Sequence, residues 1–283
     1  MGHAVADMFR QAAELNADDP RRQGNVVHLD AQDDVVVAGD IHGHRMGLAK
    51  ALRYADVRAN PSRRLVLQEI IHGPQDERTG HDRSMELLQR AVRLQTEHPE
   101  RVLFLLGNHD VAEITGNEIT KDGRGYCKSF QAGLEYLYED AAGEVREALE
   151  AFLLSLPLAV RCPNGVWLSH SLPSPNRMEE AGTEILDRAT TPDDLRRGRG
   201  AYEWTWGRRQ STEQVEKLAE QLGVRFFVLG HQPCEQGSQQ VGRRVLLLAS
   251  DHSRGCLLHF RADEPLDAGN VAAHIRRLIA IGR

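Results

Sequence analysis

Four short segments place oxygen and nitrogen donors directly after apolar runs. Gly39-Asp40-Ile41-His42-Gly43-His44 follows the run 35–38, Gly107-Asn108-His109-Asp110 follows 102–106, Ser169-His170-Ser171 follows 166–168, and Gly230-His231-Gln232-Pro233 follows 226–229. One histidine in a loop is ordinarily a surface or hydrogen-bonding residue. Four such segments in the same topological position point to shared chemistry. Carboxylate and amide oxygens mixed with imidazole suit borderline divalent ions such as Mn²⁺, Fe²⁺ or Zn²⁺, and the glycines let backbone approach an ion or a phosphate.

The runs that carry these segments, together with 65–67 and 245–248, are apolar throughout, as strands buried on both faces are. Helical periodicity lies between them. Over 84–97, Met85, Leu88, Val92 and Gln95 follow one face and Leu87, Ala91 and Leu94 its neighbour. A helix over 211–222 is opened by Ser211, with Gln214 three residues on as a capping box, and closed by Gly223. The stretch 112–155 reads as mostly helical and stops before Pro157. This alternation predicts an α/β layered architecture, with the ligand crevice beyond the carboxyl ends of the strands.

Composition sets the class. The chain has 283 residues, 41% hydrophobic and 27% charged, which is enough to bury a proper core. No repeat or linker divides it, and a single domain over 1–283 is expected. Lys+Arg 35 against Asp+Glu 41 leaves a net charge of -6. The basic residues are scattered, so neither a nucleic-acid partner nor a polybasic membrane anchor is expected. No apolar run approaches the roughly 18 residues of a membrane span, and the first residues lack the basic head and apolar core of a leader. Gly2 is followed by Ala6 where a myristoylation signal has Ser or Thr. Cys127, Cys162, Cys234 and Cys256 form no C-x-x-C pair, which argues against a disulfide framework and for a reducing, cytoplasmic location. None of this fixes an oligomeric state.

The blocks resemble those of the calcineurin-like metallophosphoesterases and, within them, the phosphoprotein phosphatase family. Its hallmarks are GDxHG, GDxxDRG, GNHE or GNHD, a His-bearing HGG-like block, and GH before a small or polar residue and Pro. Gly39-Asp40-Ile41-His42-Gly43 and Gly107-Asn108-His109-Asp110 fit without change. Leu156-Pro157-Leu158 ahead of the run ending in His170, and Gly230-His231-Gln232-Pro233, are similar to the family's C-terminal half. The resemblance spans about residues 33–260. It implies an α/β fold, a layered β-sandwich flanked by helices with a metal site at the carboxyl ends of the strands.

The resemblance also implies two divalent transition-metal ions, manganese first, with iron or zinc as alternatives. Asp40 and His42 would bind the first, and Asn108, His170 and His231 the second. The GDxxDRG block departs from the pattern: in Leu67-Gln68-Glu69-Ile70-Ile71-His72-Gly73-Pro74 the bridging Asp would be Glu69, the second Asp His72 and the Arg Gly73. A Glu bridge displaces the carboxylate by roughly one carbon–carbon bond length. The plain alternative is a solvated Glu69 beside a single ion. His72 is either an outer hydrogen-bond partner or an ordinary loop residue.

By the same resemblance, paired ions lower the pKa of a water and clamp phosphate oxygens. His109 would protonate the leaving group, oriented by a hydrogen bond to Asp110 that raises its pKa. For the missing phosphate arginine the first candidate is Arg208, ahead of Arg209, Arg45 and Arg78. His252, beside Asp251, is a candidate for an outer role. The implied activity is hydrolysis of phosphomonoesters, on a phosphoprotein or a small phosphate ester. Two other readings stand beside it: a nucleotide or dinucleoside polyphosphate hydrolase, with Trp204 or Trp206 as an aromatic platform, and a weakly active phosphatase fold used for binding.

Overall fold

A computed structural model describes residues 2–121 and 123–282, with Lys121 described in its backbone alone. Its strands are β1 (Arg22–Gln23), β2 (Val26–His28), β3 (Asp34–Ala38), β4 (Arg63–Gln68), β5 (Val102–Leu105), β6 (Thr120–Lys121), β7 (Arg124–Gly125), β8 (Ala159–Arg161), β9 (Val166–Ser169), β10 (Phe226–Leu229), β11 (Ser238–Val241), β12 (Val245–Leu248), β13 (Cys256–Arg261) and β14 (Ile275–Arg277). They form a sheet of order β1-β2-β8-β9-β10-β12-β11, a second of order β14-β13-β3-β4-β5, and a small β6–β7 hairpin.

All six apolar runs read from the sequence are strands, and their apolarity on both faces has a simple cause. Val35, Val37, Val66 and Leu105 meet Leu168, Phe226, Val228 and Leu246 in the core between the sheets. Their neighbours Val36, Leu65, Phe104, Trp167 and Phe227 turn the other way, into a layer covered by helices. In that layer Phe152 of helix Ala142–Leu154 meets Phe9 of helix Gly2–Ala17 at 5.5 Å and Phe104 at 5.4 Å between ring centroids. Each buried side chain of this size stabilises by roughly 1.5–3 kcal/mol. The result is the α/β sandwich flanked by helices that the sequence implied.

The parallel core β3-β4-β5 and the parallel trio β9-β10-β12 end on the same side as the four polar segments. The sheets are joined there: Asp40 bridges Ala249, and the Ser250 N–H donates to the Asp40 carbonyl at 3.0 Å. The remaining strand pairs are mostly antiparallel edges, β13 on β3 and β11 on β12 among them.

Two local expectations change. The stretch 112–155 is mostly helical as expected, but it is broken: Gly116, at φ 68°, ends helix Asn108–Thr115, and the β6–β7 hairpin intervenes before helix Tyr126–Tyr138. Ser211 does cap helix Thr212–Leu222, accepting from the Gln214 N–H at 3.2 Å, and Gly223 closes it at φ 61°. The Gln214 side chain, however, donates to the Pro173 carbonyl instead of returning to Ser211. No helix among the described residues is long and apolar enough to cross a membrane.

Candidate metal centre

All six candidate ligands converge. Asp40 and His42 follow β3, Glu69 follows β4, Asn108 opens a helix after β5, His170 follows β9 and His231 follows β10. Asn108 Oδ1 lies 2.6 Å from His231 Nδ1 and 2.9 Å from His170 Nε2. Glu69 spans the group, with Oε2 3.3 Å from His42 Nε2 and Oε1 3.4 Å from His170 Nε2. Asp40 lies 3.6 Å from His170 Nδ1 and 4.0 Å from His42 Nε2. Asp40, Glu69 and His170 can offer donor atoms within 4.8 Å of one another, as can His42, Glu69 and His109.

The backbone is held in an unfavourable conformation to achieve this. His42 (φ 41°), Glu69 (42°), His72 (61°) and His231 (64°) all take the left-handed region that non-glycine residues avoid. Strain of order 1–3 kcal/mol per residue persists only where surrounding structure over-determines it, and it clusters at working sites. Two glycines make room. A Cβ at Gly107 would lie 2.3 Å from Glu69 Cγ, and one at Gly230 would lie 2.3 Å from Asp40 Oδ1.

Electrostatics matches a cation site. Burial pushes the Asp40 carboxyl up to about 7 and outweighs the His231 N–H and Arg208, which favour its charge. Glu69 is raised by burial and then by Asp40 and Asp110. Burial and the neighbouring imidazoles push His170 down, and burial with Arg208 pushes His231 down to about 3. Carboxyls crowded away from water beside unprotonated imidazoles are the donor set that a divalent ion completes. Glu69 Oε2 is moreover buried without a hydrogen-bond partner. The residues present therefore fit the metal ions that the fold family implies.

Gln68, which stands where GDxxDRG has its first Gly, has a place in this site. Gln68 Nε2 donates to the Ala38 carbonyl at 3.1 Å, and its Oε1 accepts from His170 Nδ1 at 2.8 Å, which turns His170 Nε2 toward Asn108. Arg208 Nε donates to His231 Nε2 at 2.8 Å, leaving Nδ1 for the Asn108 side.

His109 and Arg208 line the same cavity of about 560 Å³ as Asp40, His42, Glu69 and Asn108. Asp110 does not orient His109. Its carboxylate accepts from the Gly107 N–H at 2.9 Å, reaching back across the helix start, because consecutive residues of a helix point in different directions. His109 Nδ1 instead meets His72 Nδ1 at 2.9 Å. Nor is the His109 pKa raised: burial, with His42, His72, His231 and Arg208 around it, pushes it down.

Other candidates lie elsewhere. Trp204 is 1% exposed and donates to the Gly182 carbonyl, and Trp206 stacks on Tyr202, so neither forms a platform at the cavity. Arg45 pairs with Glu86. His252 hydrogen-bonds the Cys234 carbonyl, while Asp251 does reach the cavity wall. Missed by sequence reasoning were Arg124 and Tyr126, brought to the cavity by the hairpin, and Glu113 behind His72. The glycines at 116, 123 and 125 were the available signal for that hairpin.

A family model described as calcineurin-like phosphoesterase matches residues 34–235. The chain belongs to this family. This calcineurin-like phosphoesterase is accordingly a hydrolase, and its fold is shared with solved phosphatases. A protein serine/threonine phosphatase from Saccharomyces cerevisiae, described as similar to human phosphatase PP5, is 16% identical with a TM-score of 0.68, over 92% of this chain and 83% of that one. A cold-active protein-tyrosine phosphatase of Shewanella is 15% identical with a TM-score of 0.55, over 94% and 84%. No curated protein matches the sequence significantly.

Proposed function

We propose that this phosphoesterase hydrolyses phosphomonoesters in the manner of serine/threonine phosphatases, as one catalytic domain in the cytoplasm, with a phosphoprotein or a small phosphate ester as substrate. The observation that carries the reading is the convergence of Asp40, His42, Glu69, Asn108 and His231 on one cavity that His109 and Arg208 also line, with His170 buried behind it against Asn108. Asp40 and His42 would hold one divalent ion, Asn108, His170 and His231 a second, with Glu69 between them and manganese the first choice. Bound there, such ions supply a nucleophile at neutral pH and Lewis-acid stabilisation of phosphoryl oxygens.

The chain's own groups do the rest. The Arg208 guanidinium, anchored by Nε on His231 and lining the cavity, binds phosphate oxygens through its terminal nitrogens as a fork. His109 donates a proton to the leaving oxygen. The buried imidazole is held low without substrate, and a phosphate dianion beside it supplies the negative charge that favours its protonated form. The strained, desolvated donors are fixed before substrate arrives, so little reorganisation remains for the reaction.

Release of inorganic phosphate from p-nitrophenyl phosphate and from a phosphoserine peptide tests this reading. With added Mn²⁺ both should be hydrolysed, and chelation should stop both reversibly. No release from any phosphomonoester under metal-replete conditions would refute it.

A further inference from the structure

The residue that meets His109 is His72, and a third residue stands behind it. His72 Nδ1 lies 2.9 Å from His109 Nδ1, and His72 Nε2 lies 3.0 Å from Glu113 Oε2. Glu113 follows His109 by one helical turn, so both project on one face of helix Asn108–Thr115. His72 enters between them from the loop after β4, at a strained φ of 61°. Its ring is fixed by packing: Phe130 meets it edge-on at 5.4 Å and Tyr126 stacks at 6.1 Å. His72 is 1% exposed and Glu113 3%, so neither interaction is diluted by water.

We propose that His72 and Glu113 are positioning residues that hold His109 in the tautomer and orientation needed to protonate a leaving oxygen. This rests on the assignment of His109 as that proton donor. The hydrogen-bond logic runs inward from the carboxylate. Glu113 accepts, so the proton of His72 sits on Nε2 and its Nδ1 presents a lone pair; that lone pair accepts the Nδ1–H of His109. Nε2 of His109 is thereby the nitrogen left for the cavity that the ring lines.

In the transfer, the proton on Nε2 of the His109 imidazolium passes to the leaving oxygen as the P–O bond breaks, while a water oxygen bonds to phosphorus and its proton is lost to solvent. His109 ends neutral with its Nδ1–H still on His72. No proton moves through His72 or Glu113; their part is orientation. The two take the place, in this chain, that the family resemblance assigned to Asp110.

The test compares leaving groups. A p-nitrophenolate departs with little help, whereas an alkoxide such as that of a phosphoserine peptide needs the proton. Glu113→Gln and His72→Leu should lower kcat on the peptide about tenfold to a hundredfold, with a markedly smaller loss on p-nitrophenyl phosphate and with metal content as in the wild type. His72→Asn should recover part of the loss on the peptide, since its Oδ1 is an acceptor and Asn tolerates the left-handed backbone. His72, Glu113 and Cys127 can gather donor atoms within 4.8 Å of one another. Loss of metal in the Glu113→Gln protein would therefore make them a metal site and overturn the proposal. Equal losses on both substrates, or no loss, would overturn it too. His109→Ala separates the two levels: leaving-group dependence there but not in the His72 and Glu113 variants defeats the positioning role alone, and its absence in His109→Ala defeats the proton-donor reading itself.

Discussion

Glu69 accepts a hydrogen bond from the His109 backbone N–H at 2.6 Å through one carboxylate oxygen, while its other oxygen is buried with no hydrogen-bond partner. One side chain thus ties the end of β4 to the start of helix Asn108–Thr115 and still sets a desolvated oxygen 3.3 Å from His42 Nε2. The bond to a backbone donor favours the ionised carboxylate that burial disfavours.

This arrangement decides how Glu69 variants behave. The space that a Gly107 side chain would take is filled by Glu69 Cγ, Cδ and Oε1, so the strand end has adapted to the longer carboxylate. Glu69→Asp should then reach short, and metal retention and kcat should both fall about tenfold or more. Glu69→Gln, which removes a negative charge that the proposed ions would share, should weaken the binding of at least one ion. Metal analysis and phosphate release measure both effects, and two unchanged variants would remove Glu69 from the ligand set.

Gly230→Ala should be damaging out of proportion to its size. The added methyl would lie 2.3 Å from Asp40 Oδ1 and 2.5 Å from Gln68 Oε1, displacing a proposed ligand and the group that hydrogen-bonds His170. Overpacking of this kind costs about 1–3 kcal/mol. Thermal unfolding together with metal content reports the outcome; a variant that keeps its metal and its rate would show that the close approach of Gly230 to Asp40 is dispensable.

His109 and Asn108 are neighbours with different parts. His109→Ala should lower kcat by roughly 10²–10⁴ with metal content near wild type, as loss of a general acid does. Asn108→Ala should instead lose metal, since Asn108 Oδ1 is the atom that both His170 and His231 approach. A His109→Ala protein stripped of its ions would make His109 a ligand, a role its grouping with His42 and Glu69 also permits.

The raised carboxyls couple metal binding to pH. Asp40 and Asp110 are pushed up to about 7 by burial. A carboxyl raised on folding contributes stability that is complete below its unfolded pKa, near 4, and is lost as pH rises through the folded value. The lowered imidazoles of His109, His170 and His231 act in the opposite sense on the metal-free protein, so the carboxyls are read through the metal: the gain in Tm on adding Mn²⁺ should be larger at about pH 8 than at about pH 5.5. A gain that does not change with pH would contradict the coupling of metal binding to these carboxyls.

The convergence of the six candidate donors was legible because each block sits directly after an apolar strand, so residue type and topology agree. Asp110 was misread for a physical reason: adjacency in sequence at a helix start does not bring side chains together, and a carboxylate there satisfies an orphan N–H first. Glu113 was hidden because its partner lies 41 positions away, and no periodicity in the sequence joins them. The short strands β1 and β11 escaped because they are exposed edges whose polar side chains lack an apolar signature, as Ser238-Gln239-Gln240 shows. The N-terminal helix carries only a sparse stripe at Val5, Phe9 and Ala12.

The central claim is that two ions share this centre, held by Asp40, His42, Glu69, Asn108, His170 and His231. Metal analysis of the purified wild-type protein equilibrated with saturating Mn²⁺ tests it most directly, because six protein donors exceed the usual share of one ion in an open catalytic site. The account predicts close to two bound ions per chain; one ion or fewer at saturation would contradict it.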